Sequence, residues 1–295
     1  MNELQWYPGH MTKAMRRMKQ ALHKVDLVVE VLDARIPLAS RNPDLDTMCE
    51  NKPRLLVLNK EDLADKKQTK AWCARFSEQG LKALSFNAKK SGGGEAVTGA
   101  MKHLMEARMK KDNARGVTPE IRAMICGIPN VGKSALINCL AGRALTKTEN
   151  RPGVTRGEQW ITLSGNVRLL DTPGVLWPKF EDKDAAMCLA IIGSLNDNNL
   201  DKQTLAYELV KKLETLYPGA LEKQYGFTPE EVAAFSGEEA LPDPYAACMG
   251  VIAKKRGCVA RGGRTDYEKT AGILLSEFRT GKQGQFTLET CEEEK

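Results

Sequence analysis

The chain has 295 residues, of which 42% are hydrophobic and 28% are charged, so we expect a folded protein and exclude a disordered or collagen-like chain. No apolar run reaches the roughly 20 residues that span a bilayer, and the N-terminal sequence does not resemble a secretory signal, so we expect a cytoplasmic protein with no membrane partner. The net charge of +6 divides into +11 for residues 1–178 and −5 for residues 179–295. This asymmetry indicates a polyanionic partner or, equally well, a solvated lysine-rich surface.

The first part of the chain alternates between helical and strand patterns. In chain order these predict a basic amphipathic helix over 11–24, strands over 26–33, 54–58 and 81–86, a glycine loop at 92–94, a helix over 95–111, a polar linker over 112–119, a strand over 121–126, a helix over 134–141, and strands over 159–163 and 167–170. Such alternation predicts an α/β fold with a mainly parallel sheet.

After residue 178 the pattern changes to helices without a convincing strand. The predicted helices cover residues 184–195, 201–216, 229–236, 245–256 and 265–279. We therefore expect two domains, an α/β domain over residues 1–178 and a smaller all-α domain over residues 179–295.

The strongest motif lies between a predicted strand and a predicted helix. Residues 127–134 fit G-x-x-x-x-G-K-S, the P-loop, whose glycines let backbone N–H groups face phosphates. Lys133 is expected to reach the β- and γ-phosphates, and the Ser134 hydroxyl to bind Mg²⁺. The remaining predicted nucleotide contacts in this loop are Asn130, Val131, Gly132 and Ala135.

Two later segments are predicted to complete the phosphate site. Asp171 follows the strand over 167–170, where P-loop enzymes place a second Mg²⁺-holding carboxylate, and Gly174 permits close approach of its N–H to the γ-phosphate. Thr155 lies in a polar segment typical of a switch loop that the γ-phosphate orders. Its hydroxyl is expected to complete the Mg²⁺ shell, and the alternative is an ordinary loop threonine.

Two motifs after earlier strands predict guanine recognition. In the N-K-x-D sequence, Asp62 can accept two hydrogen bonds, from guanine N1–H and the 2-amino group, which adenine does not supply. Asn59 is expected to tie this loop to the P-loop, and the Lys60 stem to cover the base. A second sequence resembles the last guanine-contacting loop of GTPases, usually S-A-K, and consists of Asn87, Ala88 and Lys89.

The order of these motifs is unusual. Ordinary GTPases place the P-loop first and N-K-x-D later, whereas this chain has the reverse order, so it resembles the circularly permuted GTPases. In this order the D-T-P-G sequence at 171–174 leads directly into the C-terminal domain. Loss of the γ-phosphate is therefore expected to reposition that domain.

Further sequences narrow the resemblance. The chain is similar over residues 6–288 to the bacterial ribosome biogenesis GTPase A family, also called YlqF, at W-Y-P-G-H-M (6–11), D-A-R-I-P (33–37), R-N-P (41–43), K-K-R-G (254–257) and L-L-S-E-F-R-T-G-K (274–282). The resemblance implies ribosome-stimulated GTP hydrolysis late in large-subunit assembly. It also implies a C-terminal helical RNA-binding domain, a large-subunit precursor as partner, and a monomer off the ribosome.

Hydrolysis requires a group that orients water, and Ras-like enzymes use a glutamine just after D-x-x-G. Val175 and Leu176 occupy these positions and cannot do so. The family resemblance assigns the role to His10, which joins Lys133 and Thr155 as predicted catalytic residues. The alternatives for His10 are an RNA contact or a packing residue, and slow hydrolysis is also compatible with the sequence.

Asn130 carries a second hypothesis about the phosphates. GTPases with asparagine at this P-loop position often bind K⁺ beside the β- and γ-phosphates, where its charge offsets developing negative charge. A loop-stabilising asparagine is the alternative.

Basic residues concentrate in three clusters, at 13–24, 102–115 and 254–264. They predict RNA contacts, although each is also typical of a solvated surface. Two other functions therefore stay open. One is an RNA-binding placeholder whose affinity GTP controls, and the other is a GTPase that acts on another RNA or on membranes.

Overall fold

A computed structural model describes residues 9–90, 93–142, 159–163, 165–176, 182–195, 201–238, 243–260, 262 and 264–291, and it leaves the side chains of residues 9–14 undescribed. Six strands form one sheet: β1 Leu27–Asp33, β2 Arg54–Asn59, β3 Lys82–Phe86, β4 Ile121–Cys126, β5 Gln159–Leu163 and β6 Val167–Asp171. Their order is β3-β2-β1-β4-β6-β5, and β5 alone is antiparallel to its neighbour. The predicted mainly parallel sheet is confirmed.

The helices of the described residues lie around and after this sheet. Their bounds are α1 Gly9–Leu22, α2 Asp44–Met48, α3 Lys66–Glu78, α4 Gly93–Leu104, α5 Glu106–Ala114, α6 Lys133–Ala141, α7 Lys183–Ile191, α8 Lys202–Leu216, α9 Ala220–Tyr225, α10 Pro229–Glu238, α11 Pro244–Lys255 and α12 Tyr267–Thr280. Five of them begin after an aspartate whose carboxylate accepts N–H bonds from the first turn, a strong helix start signal. These aspartates are Asp65, Asp182, Asp201, Asp243 and Asp266.

The prediction of a loop at 92–94 followed by one helix over 95–111 is wrong. The structure has two helices that meet at Met105, and the first begins at Gly93. Here glycine serves packing, because a Cβ at Gly94 would lie 3.3 Å from the Cys139 carbonyl oxygen of α6. The lack of a side chain at Gly94 therefore lets α4 approach α6 closely.

The sequence patterns also missed α3 and the short α9. Helix α3 buries Thr69, Trp72 and Phe76 on one face, at the i, i+3, i+7 spacing of an amphipathic helix. Its surface is otherwise rich in lysine and polar residues, which weakened the apolar signal. Between Val259 and Thr265 the structure also has a single antiparallel bridge, in a region predicted to be helical or loop.

The hydrophobic core runs without interruption from the sheet into the helical region, which comprises α7 to α12 and the residues that connect and follow them. One cluster of buried residues includes Val29 of β1, Leu136 of α6, Leu209 of α8 and Phe278 of α12. In the part of the chain that the structure describes, no helix is both long and apolar enough to cross a membrane.

Candidate functional site

The candidate site lies at the carboxyl edge of the parallel strands. The N-K-x-D sequence follows β2, N-A-K follows β3, the P-loop follows β4, and D-T-P-G follows β6. Because parallel strands end at the same edge, their following loops converge there, where ligands of open α/β sheets bind. The sheet therefore brings together motifs that are far apart in the sequence.

The P-loop curls over its own lysine. Lys133 is 8% exposed, and its Nζ donates to the carbonyl oxygens of Gly127 at 3.0 Å and Ile128 at 2.8 Å. Burial lowers the pKa of Lys133 to about 8, and the carboxylate of Asp171 opposes that shift. Gly132 adopts a left-handed conformation, and a Cβ there would lie 2.2 Å from Asn59 Nδ2. The loop thus holds a cation within a backbone curl of the kind that binds phosphate.

The segment after β6 lies directly against the P-loop. Asp171 is 1% exposed. A Cβ on Gly174 would lie 2.8 Å from Lys133 Nζ and 3.0 Å from the Pro129 backbone, so any larger residue would push these groups apart. Val175 donates its N–H to the Gly127 carbonyl at 3.3 Å. Val175 and Leu176 are both buried, and their apolar side chains offer no polar group to a water molecule.

Magnesium suits the donor set predicted here. Asp171 supplies a carboxylate, and Ser134 a hydroxyl at the start of α6, and such hard oxygen ligands are those that Mg²⁺ prefers. The third predicted ligand, Thr155, lies outside the described residues.

Asn59 and Lys60 connect the N-K-x-D loop to the P-loop. Asn59 Nδ2 donates to the Val131 carbonyl at 2.7 Å, and Lys60 Nζ donates to the Asn130 carbonyl at 2.7 Å. Lys60 is held in a left-handed conformation, with φ of 62°. The hydrogen bond that we predicted from Asn59 to the P-loop is thus present, and Lys60, predicted to cover the base, adds a second one.

A buried ion pair that the site prediction omitted supports Lys60. Asp33, at the end of β1, accepts from Lys60 Nζ at 2.9 Å and from the Arg35 guanidinium at 2.8 Å through both carboxylate oxygens. Burial opposes ionisation, but Arg35 and Lys60 outweigh it and hold the pKa of Asp33 well below its usual range. The D-A-R-I-P sequence enters the prediction only through the family resemblance, although its aspartate at a strand end is the signal that indicates this role.

The residues that we predict to read guanine form a more open group. Lys89 Nζ lies 3.4 Å from Asp62 Oδ2, and the two side chains are 76% and 28% exposed. Asn87 Oδ1 accepts the Lys89 N–H at 2.8 Å, which gives the N-A-K loop a tight turn around Ala88. The two predicted guanine motifs therefore adjoin each other.

The helical region contacts the P-loop directly. Asn130 Nδ2 donates to the Gly193 carbonyl at 2.6 Å, and Ser194 Oγ donates to the Pro129 carbonyl at 2.9 Å. Gly193 ends α7 in a left-handed conformation. Arg279 of α12 donates to the Ala190 and Ile191 carbonyls at the same helix end. This contact uses the amide nitrogen of Asn130. The side-chain oxygen, which is the atom able to ligate K⁺, takes no part in it.

The described structure does not include the His10 side chain. His10 lies in the first turn of α1, among the residues without described side chains. Further along α1, Met15 and Met18 belong to the same buried cluster as Val175. Helix α1 and the segment that follows D-T-P-G thus contribute to one hydrophobic cluster.

Several basic residues of the third cluster have acidic or aromatic neighbours. Lys255 pairs with Glu231 at 2.8 Å, and Arg256 pairs with Glu277. Lys254 Nζ lies 4.5 Å from the centre of the Phe235 ring. These contacts give the three residues partners within the protein, and the RNA contacts of this cluster stay a prediction.

Comparisons with known proteins identify relatives that span nearly the whole chain. A family model described as 50S ribosome-binding GTPase matches residues 122–215. The chain is similar to Ribosome biogenesis GTPase A of Bacillus cereus, at 44% identity over 98% of this chain and 95% of that protein. It is also similar to Mitochondrial ribosome-associated GTPase 1 of Mus musculus, at 37% identity over 96% of this chain and 89% of that protein.

The fold is similar to that of YlqF from T. maritima. The GDP-bound and GNP-bound structures of YlqF align with TM-scores of 0.64 and 0.61, each at 27% sequence identity. The alignments cover 94% and 95% of this chain, and 100% and 99% of YlqF. The circularly permuted order of motifs is consistent with these structural neighbours.

Proposed function

This chain belongs to the ribosome biogenesis GTPase A family, and we propose from that premise that it hydrolyses GTP during assembly of the large ribosomal subunit. The observation that carries the proposal is the contact between Asn59 and the Val131 carbonyl at 2.7 Å. It joins a guanine-specificity loop to a phosphate loop 72 residues away. One nucleotide bound across both loops would have its base at Asp62 and its phosphates at Lys133.

The binding roles follow from chemistry. Lys133 neutralises the β- and γ-phosphates, and the loop N–H groups from Asn130 to Ala135 bind their oxygens. GTPases use Mg²⁺, for which Ser134, Asp171 and Thr155 are the proposed ligands. Gly174 brings its N–H to the γ-phosphate, so its segment would respond to hydrolysis. Asp62, Asn87, Ala88 and Lys89 surround the base.

His10 is our proposal for the residue that positions the attacking water. It precedes Met15 by five residues, about 7.5 Å along a helix, and Met15 shares a buried cluster with Val175. An imidazole near neutral pH can orient a water or accept its proton. K⁺ at Asn130 is a separate proposal, for which turnover in KCl and NaCl at equal ionic strength is the test.

The partners follow from the family. Guanine nucleotides and ribosomal components are the general partners, and we propose a large-subunit precursor as the specific one. We further propose that the chain is a cytoplasmic monomer off the ribosome, with a GTP-binding domain over 1–178 and a helical RNA-binding domain over 179–295. The link from Asn130 to Gly193 supports coupling between these two regions.

A second function is favoured by the buried Val175 and Leu176, which leave the usual water-orienting position apolar. The chain could act as an RNA-bound placeholder whose affinity GTP controls, with hydrolysis incidental. Turnover with and without purified large subunits separates the two functions. Stimulation by subunits that His10→Ala abolishes, with GTP affinity retained, supports the enzyme, whereas equal slow rates support the placeholder.

Base specificity is tested with Asp62→Asn. An asparagine offers one acceptor and one donor, which match the N1–H and 2-oxo groups of xanthine instead of guanine. We expect the variant to lose GDP affinity by at least about 100-fold and to gain affinity for xanthosine diphosphate. Unchanged GDP binding would contradict the assignment of Asp62.

A further inference from the structure

The last described part of the chain crosses the guanine half of the candidate site, which comprises residues 59–62 and 87–89. This C-terminal segment, residues 281–291, begins where α12 ends at Gly281 in a left-handed conformation. A Cβ on Gly281 would lie 2.6 Å from Leu63 Cδ2, so the segment starts in direct contact with the residue after Asp62.

Three hydrogen bonds fix the backbone around Asp62 to this segment. Gln285 Nε2 donates to the Asp62 carbonyl at 2.9 Å, and the Phe286 N–H donates to the Leu63 carbonyl at 3.2 Å. Thr287 Oγ1 accepts the Asp65 N–H at 3.2 Å. Asp62 and Leu63 belong to a 3₁₀ turn over Glu61–Leu63, and Asp65 directly precedes α3. The segment therefore bonds to the backbone of the turn that carries Asp62.

The segment is itself anchored firmly on its other side. The Tyr217 hydroxyl accepts the Thr287 N–H at 3.0 Å and donates to the Thr287 carbonyl at 3.1 Å. The rings of Tyr217 and Phe286 lie 4.9 Å apart between centres. Glu289 accepts the N–H groups of Leu38 and Ala39 at 2.7 and 2.8 Å. Helix α8 and the loop after β1 thus hold the segment in place.

The same loop is held from its inner side by Lys60, through Asp33 and the Asn130 carbonyl. Arg35, which completes that ion pair, donates to the Phe278 carbonyl of α12 at 3.4 Å. The Leu288 N–H in turn donates to the Arg35 carbonyl at 2.8 Å. The helical region therefore contacts both sides of the loop that carries Asp62.

We propose that Gln285 and Thr287 are positioning residues of the guanine site, and that they set how strongly the protein prefers guanine to a base without the 2-amino group. The proposal rests on the assignment of Asp62 to the base. Hydrogen bonds weaken steeply as their angles depart from linearity. Reading N1–H and the 2-amino group together requires both carboxylate oxygens of Asp62 in a fixed orientation, which the surrounding backbone provides.

Inosine diphosphate (IDP) is the probe because its base has N1–H and lacks the 2-amino group. For the wild-type protein we expect the Kd for IDP to exceed the Kd for GDP by about tenfold or more. The ratio of these two constants measures the second Asp62 hydrogen bond. A general loss of folding or of phosphate binding would change both constants equally and leave the ratio unaltered.

Gln285→Ala is the first variant, and Gln224→Ala is its matched control. Both glutamines are exposed, and each donates its amide to a backbone carbonyl, Gln224 to that of Lys282 at 2.7 Å. The control bond reaches the segment but not the Asp62 loop. We expect Gln285→Ala to lower the IDP-to-GDP ratio by about three- to tenfold, and Gln224→Ala to leave it unchanged.

Thr287 provides an independent second pair. Thr287→Val removes the buried hydroxyl with little change of shape, whereas Thr287→Ser retains it. We expect the ratio to fall in the valine variant and to be rescued in the serine variant. Melting temperatures identify any variant that does not fold, in which case the exposed Gln285 carries the test.

The outcomes distinguish a failure of the Asp62 assignment from a failure of the positioning role of Gln285 and Thr287. A wild-type protein that does not prefer GDP to IDP overturns the assignment of Asp62, and this inference with it. A wild-type preference that survives in both Gln285→Ala and Thr287→Val overturns the inference alone. Equal weakening of GDP and IDP binding also overturns it, because the segment would then serve only folding.

Discussion

The two halves of the candidate site are held by different parts of the chain. In the phosphate half, residues 127–134 and 171–174, Lys133 bonds to carbonyls five and six residues before it. In the guanine half, the loop around Asp62 bonds to residues more than 200 positions away. The helical region contacts both halves. In the phosphate half its contacts at Pro129 and Asn130 add to bonds within the P-loop, whereas the turn around Asp62 is held mainly by residues 281–291. The comparison predicts that changes in residues 281–291 affect base recognition more than phosphate binding.

Arg35→Met is expected to have the largest effect, since it breaks the buried support of the guanine half. The substitution leaves Asp33, which is fully buried, with Lys60 as its remaining cationic partner. We expect the free energy of unfolding to fall by about 3–5 kcal/mol, the usual effect of leaving a buried charge poorly compensated. Urea denaturation measures it.

Lys110→Met is the control for this substitution. It removes an ion pair with Glu106 whose two side chains are largely exposed, so we expect no measurable change in stability. Similar small effects for both variants would contradict a structural role for the buried pair.

Gly174→Ala tests the phosphate half. A Cβ there would crowd Lys133 Nζ and the Pro129 backbone, so we expect GTP affinity to fall by about 2 kcal/mol, roughly 30-fold. The IDP-to-GDP ratio should stay constant. Fluorescence titration with labelled nucleotides measures both quantities.

Gly99→Ala is the matched glycine control. Gly99 lies exposed in α4 with no atom within 4 Å of an added Cβ. We expect unchanged nucleotide affinity and a gain of about 0.5–1 kcal/mol in stability, because alanine favours helix. Equal affinity losses in the two variants would refute steric crowding at Gly174.

Ser194→Ala probes the hydroxyl contact from the segment after α7 to the P-loop. It removes the donor to the buried Pro129 carbonyl, so we expect stability to fall by about 1–2 kcal/mol with no change in base preference. Ser77→Ala, whose exposed hydroxyl bonds within α3, is the control. A change in the IDP-to-GDP ratio for Ser194→Ala would erase the distinction between the two halves.

Glu214→Gln tests whether a carboxyl of the helical region, outside both halves of the site, makes the stability of the protein depend on pH. Burial raises the pKa of Glu214 to about 7, and nearby Glu222 adds to the shift. Because the folded state favours the protonated carboxyl, its stabilisation is present at low pH and is lost as pH rises through 7. We expect wild-type stability to fall by roughly 1 kcal/mol between pH 5 and 8, allowing for partial solvent screening.

The glutamine variant should lack the part of this pH dependence that Glu214 contributes, while Glu289, whose pKa burial also raises to about 7, still contributes in both proteins. Thermal melts of both proteins across the range provide the measurement, and parallel curves would contradict it.

Much of the molecule could be predicted from local patterns. The apolar runs that became β1, β2 and β4 are visible in the sequence, and the D-A-R-I-P sequence, the N-K-x-D sequence and the P-loop lie at their respective ends. Strand periodicity and loop composition are properties of a few consecutive residues, so they remain visible in the sequence. The predictions failed at α3 and α4 because the local pattern was misleading there. In α3 the many lysines weakened the apolar periodicity, and in α4 the glycines belong to a packed helix and not to a loop.

The sequence alone determined the permuted order of the motifs, and from it we predict which residues carry phosphate and guanine chemistry. Only the tertiary structure decided how these residues are held. The partnership of Asp33 with Lys60, the contact of Asn130 with Gly193, and the crossing of Thr287 over the Asp62 loop each join distant positions. Such contacts leave no periodic or local signal, because they depend on where the sheet edge and the helical region bring separate backbones within hydrogen-bonding distance.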